Sequence, residues 1–299
     1  MEKEEKLKYS KKFLHYKQMV GGLQDHIEPG NYTIRFSFKL PDELPSSLFF
    51  KNKKSREEPK AKIKYFVKGQ IVAAGHDMKH KSVLMIREKP VAARSEETMT
   101  NEQNISVCCS SKGRCSLTAK FNQNVFTPQD VAKGAVEVDN SDCQINVRAV
   151  AFSIEQVFKQ KIGSYTNTET ITLLQDKVSG PEAGVADWNN ALELELNKIK
   201  YEVADTKMKK GVQKKVSKED KFIMASLQPA CHAPKFSNEY FLTVRTEFDG
   251  CICSQTPHAR SQMTIVPLLD PSCFGYQAGH DFSELGAYNF DLTHEPDSH

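Results

Sequence analysis

Residues 33–40 read TIRFSFKL and alternate polar and apolar side chains along their whole length. Successive side chains of an extended strand point to opposite faces of a sheet. Ile34, Phe36 and Phe38 are therefore predicted to share a core face, while the polar residues between them face water. The stretch predicts a half-buried β-strand.

The same period-two pattern recurs along the rest of the chain. Its apolar positions are Ile63, Tyr65, Val67 and Ile71; Leu117, Ala119 and Phe121; Val136 and Val138; and Tyr240, Leu242, Val244 and Phe248. The apolar residues change from even-numbered to odd-numbered positions between Leu196 and Ile199. This change predicts a turn or bulge near Asn197. Turn-forming sequences separate the runs, and no helical period is sustained. Antiparallel β-sandwiches are favoured over a parallel α/β sheet.

Length and loop signals predict the domain organisation. A chain of 299 residues suggests two domains at roughly 150 residues each. The boundary is predicted near Lys89, so that residues 1–90 form an N-terminal lobe and residues 91–270 a larger C-terminal lobe. Within the second lobe residues 198–221 form a lysine-rich insert, and residues 271–299 are predicted to be a tail. The predicted fold is all-β, with two sandwich lobes, the first incomplete.

Composition and charge exclude several classes of protein. The net charge of +3 is too balanced for a protein that binds nucleic acid or a membrane over its whole surface. No apolar run approaches the roughly 20 residues of a membrane span, and the charged N-terminus does not match a signal peptide. We therefore expect a cytoplasmic protein, peripheral at the plasma membrane or endosomes if membrane-bound, whose eight cysteines are free thiols.

Catalytic and cofactor-binding motifs are absent: the sequence has no GxGxxG, P-loop, HExxH or GxSxG. We predict neither an enzyme nor a cofactor. His76 and His80 would lie about 13 Å apart in a strand, too far for one metal ion, so a polar loop is favoured there. A zinc site is the alternative for the clustered cysteines, but their spacing is irregular and small buried thiols are commoner. These cysteines are Cys108, Cys109, Cys115, Cys251 and Cys253. No metal is predicted.

The lysine-rich insert is the candidate binding segment. It has few acids and no clear apolar face, which favours a mobile loop over a helix. The candidate anion- or partner-binding residues are Lys207, Lys209, Lys210, Lys214 and Lys215. One interpretation is a solvated loop; the other is a surface for phospholipid headgroups, phosphorylated tails or acidic polypeptides. No aromatic side chains lie among these lysines, so nucleic acid is not a predicted partner.

A set of motifs occurs in a characteristic order across most of residues 20–270. In the first lobe they are Pro29-Gly30, Ile34 to Phe38, Leu44-Pro45-Ser46-Ser47-Leu48 and Ile63 to Lys68. In the second they are Val107-Cys108-Cys109, Leu117 to Lys120, Phe126-Thr127-Pro128, Val136 to Asn140, Trp188, Asn238 to Val244, Asp249-Gly250-Cys251 and Thr264 to Leu268. This order resembles the arrestin fold, and within it the alpha-arrestin, or arrestin domain-containing, branch.

The resemblance implies an adaptor that docks cytoplasmic segments of membrane proteins and passes them to endocytic or ubiquitination machinery. The chain has no Pro-Pro pair, so it lacks the Pro-Pro-x-Tyr motif through which that branch commonly recruits ubiquitin ligases. The first lobe is also shorter than the family's. The alternative is a structural subunit built permanently into a coat-like or cytoskeletal assembly.

The short first lobe predicts an uncovered apolar face. A sandwich of this type has about seven strands, and only four or five can be placed before Pro90. The side chains left partly open would be Ile34, Phe36, Phe38, Ile63, Tyr65 and Val67. We expect a partner chain, a dimer mate or sequence upstream of Met1 to cover them.

Overall fold

The computed structural model describes residues 8–12, 14–21, 33–52, 55, 59–73, 75–88, 92–108, 110–199, 206–209, 212–215 and 227–266, with backbone alone at 206–209 and 212–215. The chain divides into two units, residues 1–8 with 45–268, and residues 9–44 with 269–299. The lobe boundary near Lys89 stays a prediction.

The described part of the chain is built from β-strands and one 3₁₀ turn, η1 (Leu196–Lys198). The strands are β1 (Leu48–Lys51), β2 (Lys60–Ile63), β3 (Tyr65–Ile71), β4 (Met78–Leu84), β5 (Glu97–Val107), β6 (Ser110–Phe121), β7 (Val125–Phe126), β8 (Val131–Asp139), β9 (Val147–Ile162), β10 (Tyr165–Ser179), β11 (Trp188–Glu195), β12 (Thr206–Lys209), β13 (Val212–Lys215), β14 (Cys231–Ala233), β15 (Phe236–Phe248) and β16 (His258–Ile265). No helix in these ranges is long and apolar enough to cross a membrane.

Two sheets of the larger unit pack face to face as a β-sandwich. One has the strand order β11-β8-β6-β5, and the other has the order β10-β9-β15-β16-β7, with β14 added beside β15. Their inner faces form one apolar core, in which the rings of Phe121 and Phe152 lie 6.5 Å apart. The predicted alternation is observed in β15, where Tyr240, Leu242 and Val244 are fully buried. The predicted all-β sandwich fold is confirmed.

Strand β9 of this second sheet contacts both the sandwich core and the N-terminal strand β1. Phe152 and Ile154 of β9 belong to the sandwich core, whereas Phe158 stacks on Phe50 of β1, with ring centroids 3.8 Å apart. The backbone N–H of Phe49 donates to the Gln228 side chain at 2.9 Å. The β1-β2 pair therefore packs on the same sheet as the sandwich core. The expectation that Ile63 and Tyr65 lie on an uncovered face is wrong, because they are only 2% and 8% exposed.

The strand predicted at residues 33–40 is wrong. This stretch is described without strand structure, and Ile34, Phe36 and Phe38 are 41%, 49% and 36% exposed. An alternating sequence needs a neighbouring strand to satisfy its backbone groups. No described strand pairs with residues 33–40.

Two other expectations concern the segment after β11. The turn predicted near Asn197 is confirmed, because η1 ends β11 there. The loop predicted for the insert instead contains a hairpin, in which Lys207 pairs with Lys214 and Lys209 with Val212. In the sequence Lys210-Gly211 separates the two strands, and a glycine in a two-residue connection favours a hairpin.

Candidate functional site

Four of the five candidate lysines lie on two paired strands, β12 and β13. Lys207 and Lys209 lie on β12, and Lys214 and Lys215 on β13. The register places Lys207 opposite Lys214, and Thr206 opposite Lys215. Lys210 lies outside the described residues. The hairpin thus concentrates four basic positions within two short strands.

The sheet with the order β10-β9-β15-β16-β7 is called the long sheet below. Its outer face is a second candidate, which the sequence patterns did not single out. Alternation places Tyr240, Leu242 and Val244 in the core, so the intervening positions of β15 point outward. Thr243 pairs with Arg260 of β16, and Arg245 pairs with His258. Polar and basic side chains from adjacent strands therefore meet on this face.

Arg260 lies on this outer face and contacts side chains of the two neighbouring strands, β15 and β9. Its guanidinium lies over the Phe241 ring, 3.8 Å from the centroid, and its Nη2 lies 3.3 Å from Glu155 Oε2. The Glu155 side chain is 11% exposed, so part of the guanidinium charge is matched by a mostly buried carboxylate. Stacking and pairing together hold Arg260 in place.

A shallow cavity of about 390 Å³ opens beside this pair. We call it the outer groove; its lining residues are Glu155, Thr170, Thr243, Arg245, Gln255, Thr256, His258 and Arg260. Thr243 is 5% exposed, and within the described ranges its Oγ1 has no hydrogen-bond partner. In the same ranges no carboxylate pairs with Arg245. Among the described residues, the groove therefore combines a cation that no carboxylate pairs with and a hydroxyl without a hydrogen bond.

Sequence reasoning could have found only the part of the outer groove that lies on β15. Once Leu242 and Val244 are assigned to the core, Thr243 and Arg245 must share the opposite face of the same strand. The partners on β9 and β16 could not be found in this way, because the strand register was unknown. Only the fold brings Glu155 and Arg260 to the same place.

A second polar cluster joins the segment after β4 to β14. Glu88 Oε1 accepts hydrogen bonds from the backbone N–H of His232 at 2.7 Å and of Ser46 at 3.2 Å. The His232 ring nitrogen Nδ1 lies 3.0 Å from Glu88 Oε2. Glu239 lies 3.8 Å from the other ring nitrogen and pairs with Lys159 at 2.9 Å. This cluster ties residues 46–88 to the sandwich.

The two partners in this cluster shift each other's proton affinity. The Glu88 hydrogen bond raises the pKa of His232 above its ordinary 6.5. Burial opposes ionisation of Glu88, but hydrogen bonds from His232 and Ser46 outweigh it and lower the Glu88 pKa below its ordinary 4.5. The stabilisation from His232 is complete below pH 6.5 and is lost as pH rises through the raised pKa. That from Glu88 is complete above pH 4.5 and is lost as pH falls through the lowered pKa.

We predict that His232→Gln destabilises the chain at pH 5.5 and has little effect at pH 9. The melting temperatures of the wild-type chain and the variant, measured across this range, check it. Their difference should shrink as pH rises, because wild-type His232 loses its charge. His76→Gln is the control, since His76 is exposed and its variant should show no such trend. A difference that is constant with pH would show that the imidazolium contributes nothing.

The described cysteines are free thiols in several environments. Cys108, Cys251 and Cys253 are exposed, whereas Cys115 and Cys231 are buried. Burial raises the pKa of Cys115 to about 12. Within the described ranges no group of three His, Cys, Asp or Glu side chains could hold a metal ion. Cys251 and Cys253 lie in the loop between β15 and β16, not on the strand that the zinc alternative assumed.

Strand β10 forms an edge of the long sheet. It pairs with β9 along its length, and no other described strand lies beside it. An edge strand presents unpaired backbone N–H and C=O groups, to which an extended peptide can add. The sandwich thus offers an edge and an outer groove, both suited to binding and both formed by one sheet.

These features define the chain as an all-β sandwich protein. No family model matches it. It is similar to arrestin domain-containing protein A of Dictyostelium discoideum, at 23% identity over 152 residues. The match covers 50% of this chain and 26% of that protein, so the chain spans about a quarter of the relative's length. The β-sandwich fold and this similarity are together consistent with an arrestin-like protein.

Proposed function

We propose that the protein is a non-enzymatic arrestin-like adaptor of the alpha-arrestin branch, which binds cytoplasmic segments of membrane proteins in trafficking or endocytosis. The observation that carries the proposal is the similarity to an arrestin domain-containing protein, found on an all-β sandwich. The edge strand β10 gives a physical route for binding, because a cargo segment in extended conformation can extend the sheet.

A structural subunit of a large assembly is the second candidate. The observation that favours it is the exposure of Ile34, Phe36 and Phe38, three alternating apolar side chains. A permanent partner that covered them would remove apolar surface from water at about 25 cal/mol per Å². This candidate predicts a constitutive complex, whereas an adaptor cycles between free and bound states.

Sedimentation of a cell extract separates the two candidates. A free adaptor sediments near the 33.8 kDa mass of the chain, with a minor fraction on membranes. A structural subunit stays in a large particle at all times. Full recovery in a particle that withstands dilution would contradict the adaptor proposal.

The insert lysines give a prediction about membrane binding. Reversing Lys207, Lys209, Lys210, Lys214 and Lys215 to Glu should lower affinity for phosphatidylserine vesicles at least tenfold, since each lysine near an anionic surface contributes about 1 kcal/mol. The melting temperature should stay nearly unchanged, because the sequence predicts a solvated insert and surface substitutions usually change stability by within about 0.5 kcal/mol. Vesicle co-sedimentation at two salt concentrations checks both expectations.

The control for this experiment reverses Lys68 and Lys161, which are exposed on β3 and β9. That variant should bind vesicles as the wild-type chain does. Vesicle binding that survives reversal of all five insert lysines would reduce the insert to a solvated hairpin.

A further inference from the structure

We infer that the outer groove is a binding site for a single carboxylate of an acidic peptide segment. The biological setting of this site rests on the proposed adaptor function, but its chemistry depends on the groove alone. The site would select segments that carry Asp or Glu side chains.

The first support is a pair of groups, Thr243 Oγ1 and the Arg245 guanidinium, that have no hydrogen-bond and no carboxylate partner, respectively, in the part of the chain that the structure describes. A buried hydroxyl without a hydrogen bond is unfavourable, and a bound ligand or an ordered water is one explanation for such a group. Thr243 is of this kind, and its register partner on β16 is Arg260. Arg245 lies two residues further along β15, and a guanidinium binds carboxylates through paired hydrogen bonds.

The second support is the charge of the groove, which fits a monoanion. Arg245 and Arg260 bring two positive charges, and Glu155 removes one through its pairing with Arg260. The remaining unit charge balances one carboxylate. A phosphate monoester carries close to two negative charges at pH 7 and would lie near the Glu155 carboxylate, which repels it. Glu155 therefore acts as a selectivity residue for carboxylate over phosphate.

The third support is the shape of the site. A volume of about 390 Å³ is enough for one or two side chains but lies at the small end of ligand cavities. Thr170 on edge strand β10 and Thr256 in the loop before β16 lie at its borders. A peptide crossing the outer face could thus place one acidic side chain in the groove and leave its neighbours in solvent.

The test uses the purified full chain and three fluorescein-labelled twelve-residue peptides of Gly-Ser-X repeats, where X is Glu, Gln or phosphoserine. Fluorescence anisotropy should show that the Glu peptide binds at least tenfold more tightly than the Gln peptide, and no less tightly than the phosphoserine peptide. Glu155→Gln should raise the affinity for the phosphoserine peptide relative to the Glu peptide at least fivefold.

Two pairs of variants separate binding from folding. Arg245→Gln should weaken binding of the Glu peptide about tenfold, whereas Arg148→Gln, on β9 of the same sheet, should not. Thr243→Val should weaken binding about fivefold without lowering the melting temperature. Thr246→Val should lower the melting temperature without weakening binding, because the buried Thr246 hydroxyl donates to the Pro257 carbonyl at 3.1 Å.

Three results would overturn the inference. The first is that the Glu peptide does not bind at millimolar concentration. The second is that the Arg245→Gln and Thr243→Val variants bind the Glu peptide as the wild-type chain does. The third is that the phosphoserine peptide binds more tightly than the Glu peptide and that Glu155→Gln does not increase this preference. Each would remove the carboxylate site and leave the adaptor proposal to be judged by sedimentation. Conversely, a permanent large particle with intact peptide binding would remove the adaptor role and retain the site.

Discussion

Phe50→Ala is expected to lower the free energy of unfolding by about 3–5 kcal/mol, the range for removing a large buried aromatic side chain. Phe50 is 1% exposed and its ring stacks on the fully buried Phe158. The substitution leaves a cavity between β1 and the long sheet, which close packing cannot fill without moving the backbone. Urea denaturation followed by circular dichroism measures the loss.

The matched control is Phe66→Ala. Phe66 lies on β3 and is 49% exposed, with Lys81 Nζ above its ring at 3.5 Å. Its removal should cost no more than about 1 kcal/mol, the range for an exposed cation–π contact. Equal effects of the two substitutions would mean that β1 is not docked on the long sheet.

Asn238→Leu is expected to destabilise the chain by about 2–5 kcal/mol, because it breaks a buried amide network. Asn238 donates to the Pro229 carbonyl at 2.8 Å and accepts from Gln156 Nε2 at 2.6 Å. Tyr240 donates to the Gln228 carbonyl at 2.7 Å in the same network. Depriving a buried polar group of a hydrogen bond costs about 1–3 kcal/mol. The substitution removes the two short bonds of Asn238 and its longer donation to the Tyr240 hydroxyl at 3.3 Å.

Asn189→Leu is the comparison for this substitution. Asn189 is exposed on β11, so its loss should change stability by within about 0.5 kcal/mol. Melting temperatures of both variants, measured under identical conditions, check the contrast. An Asn238→Leu variant as stable as wild type would show that the network contributes no net stability, as can occur when apolar packing replaces a buried polar group.

Period-two alternation predicted strands well where the fold supplies neighbours. Leu117, Val136 and Leu242 all lie in the core, as their positions in the pattern indicate. The pattern failed in two instructive places. Phe36 alternates with polar residues yet is exposed without strand structure, whereas Phe49 lies in β1, where consecutive side chains are buried and no alternation exists. A local sequence pattern indicates an amphipathic segment. Tertiary contacts determine whether that segment forms a strand and buries its apolar side chains.

The candidate site depended even more on long-range structure. The lysines of the insert were visible because they lie close together in the sequence. Glu155, Thr243 and Arg260 are far apart in sequence and meet only through the pairing of β9, β15 and β16. Register cannot be read from one strand alone, so the outer groove could be found only in the folded chain.

The most direct test of the adaptor proposal is the abundance of membrane proteins at the cell surface. Surface biotinylation and quantitative mass spectrometry would compare cells that lack the protein with cells in which the wild-type chain is restored. An adaptor for endocytosis predicts that a defined subset of membrane proteins accumulates at the surface without it and returns to normal on restoration. An unchanged surface composition, with the restored chain expressed at its normal level, would contradict the proposal.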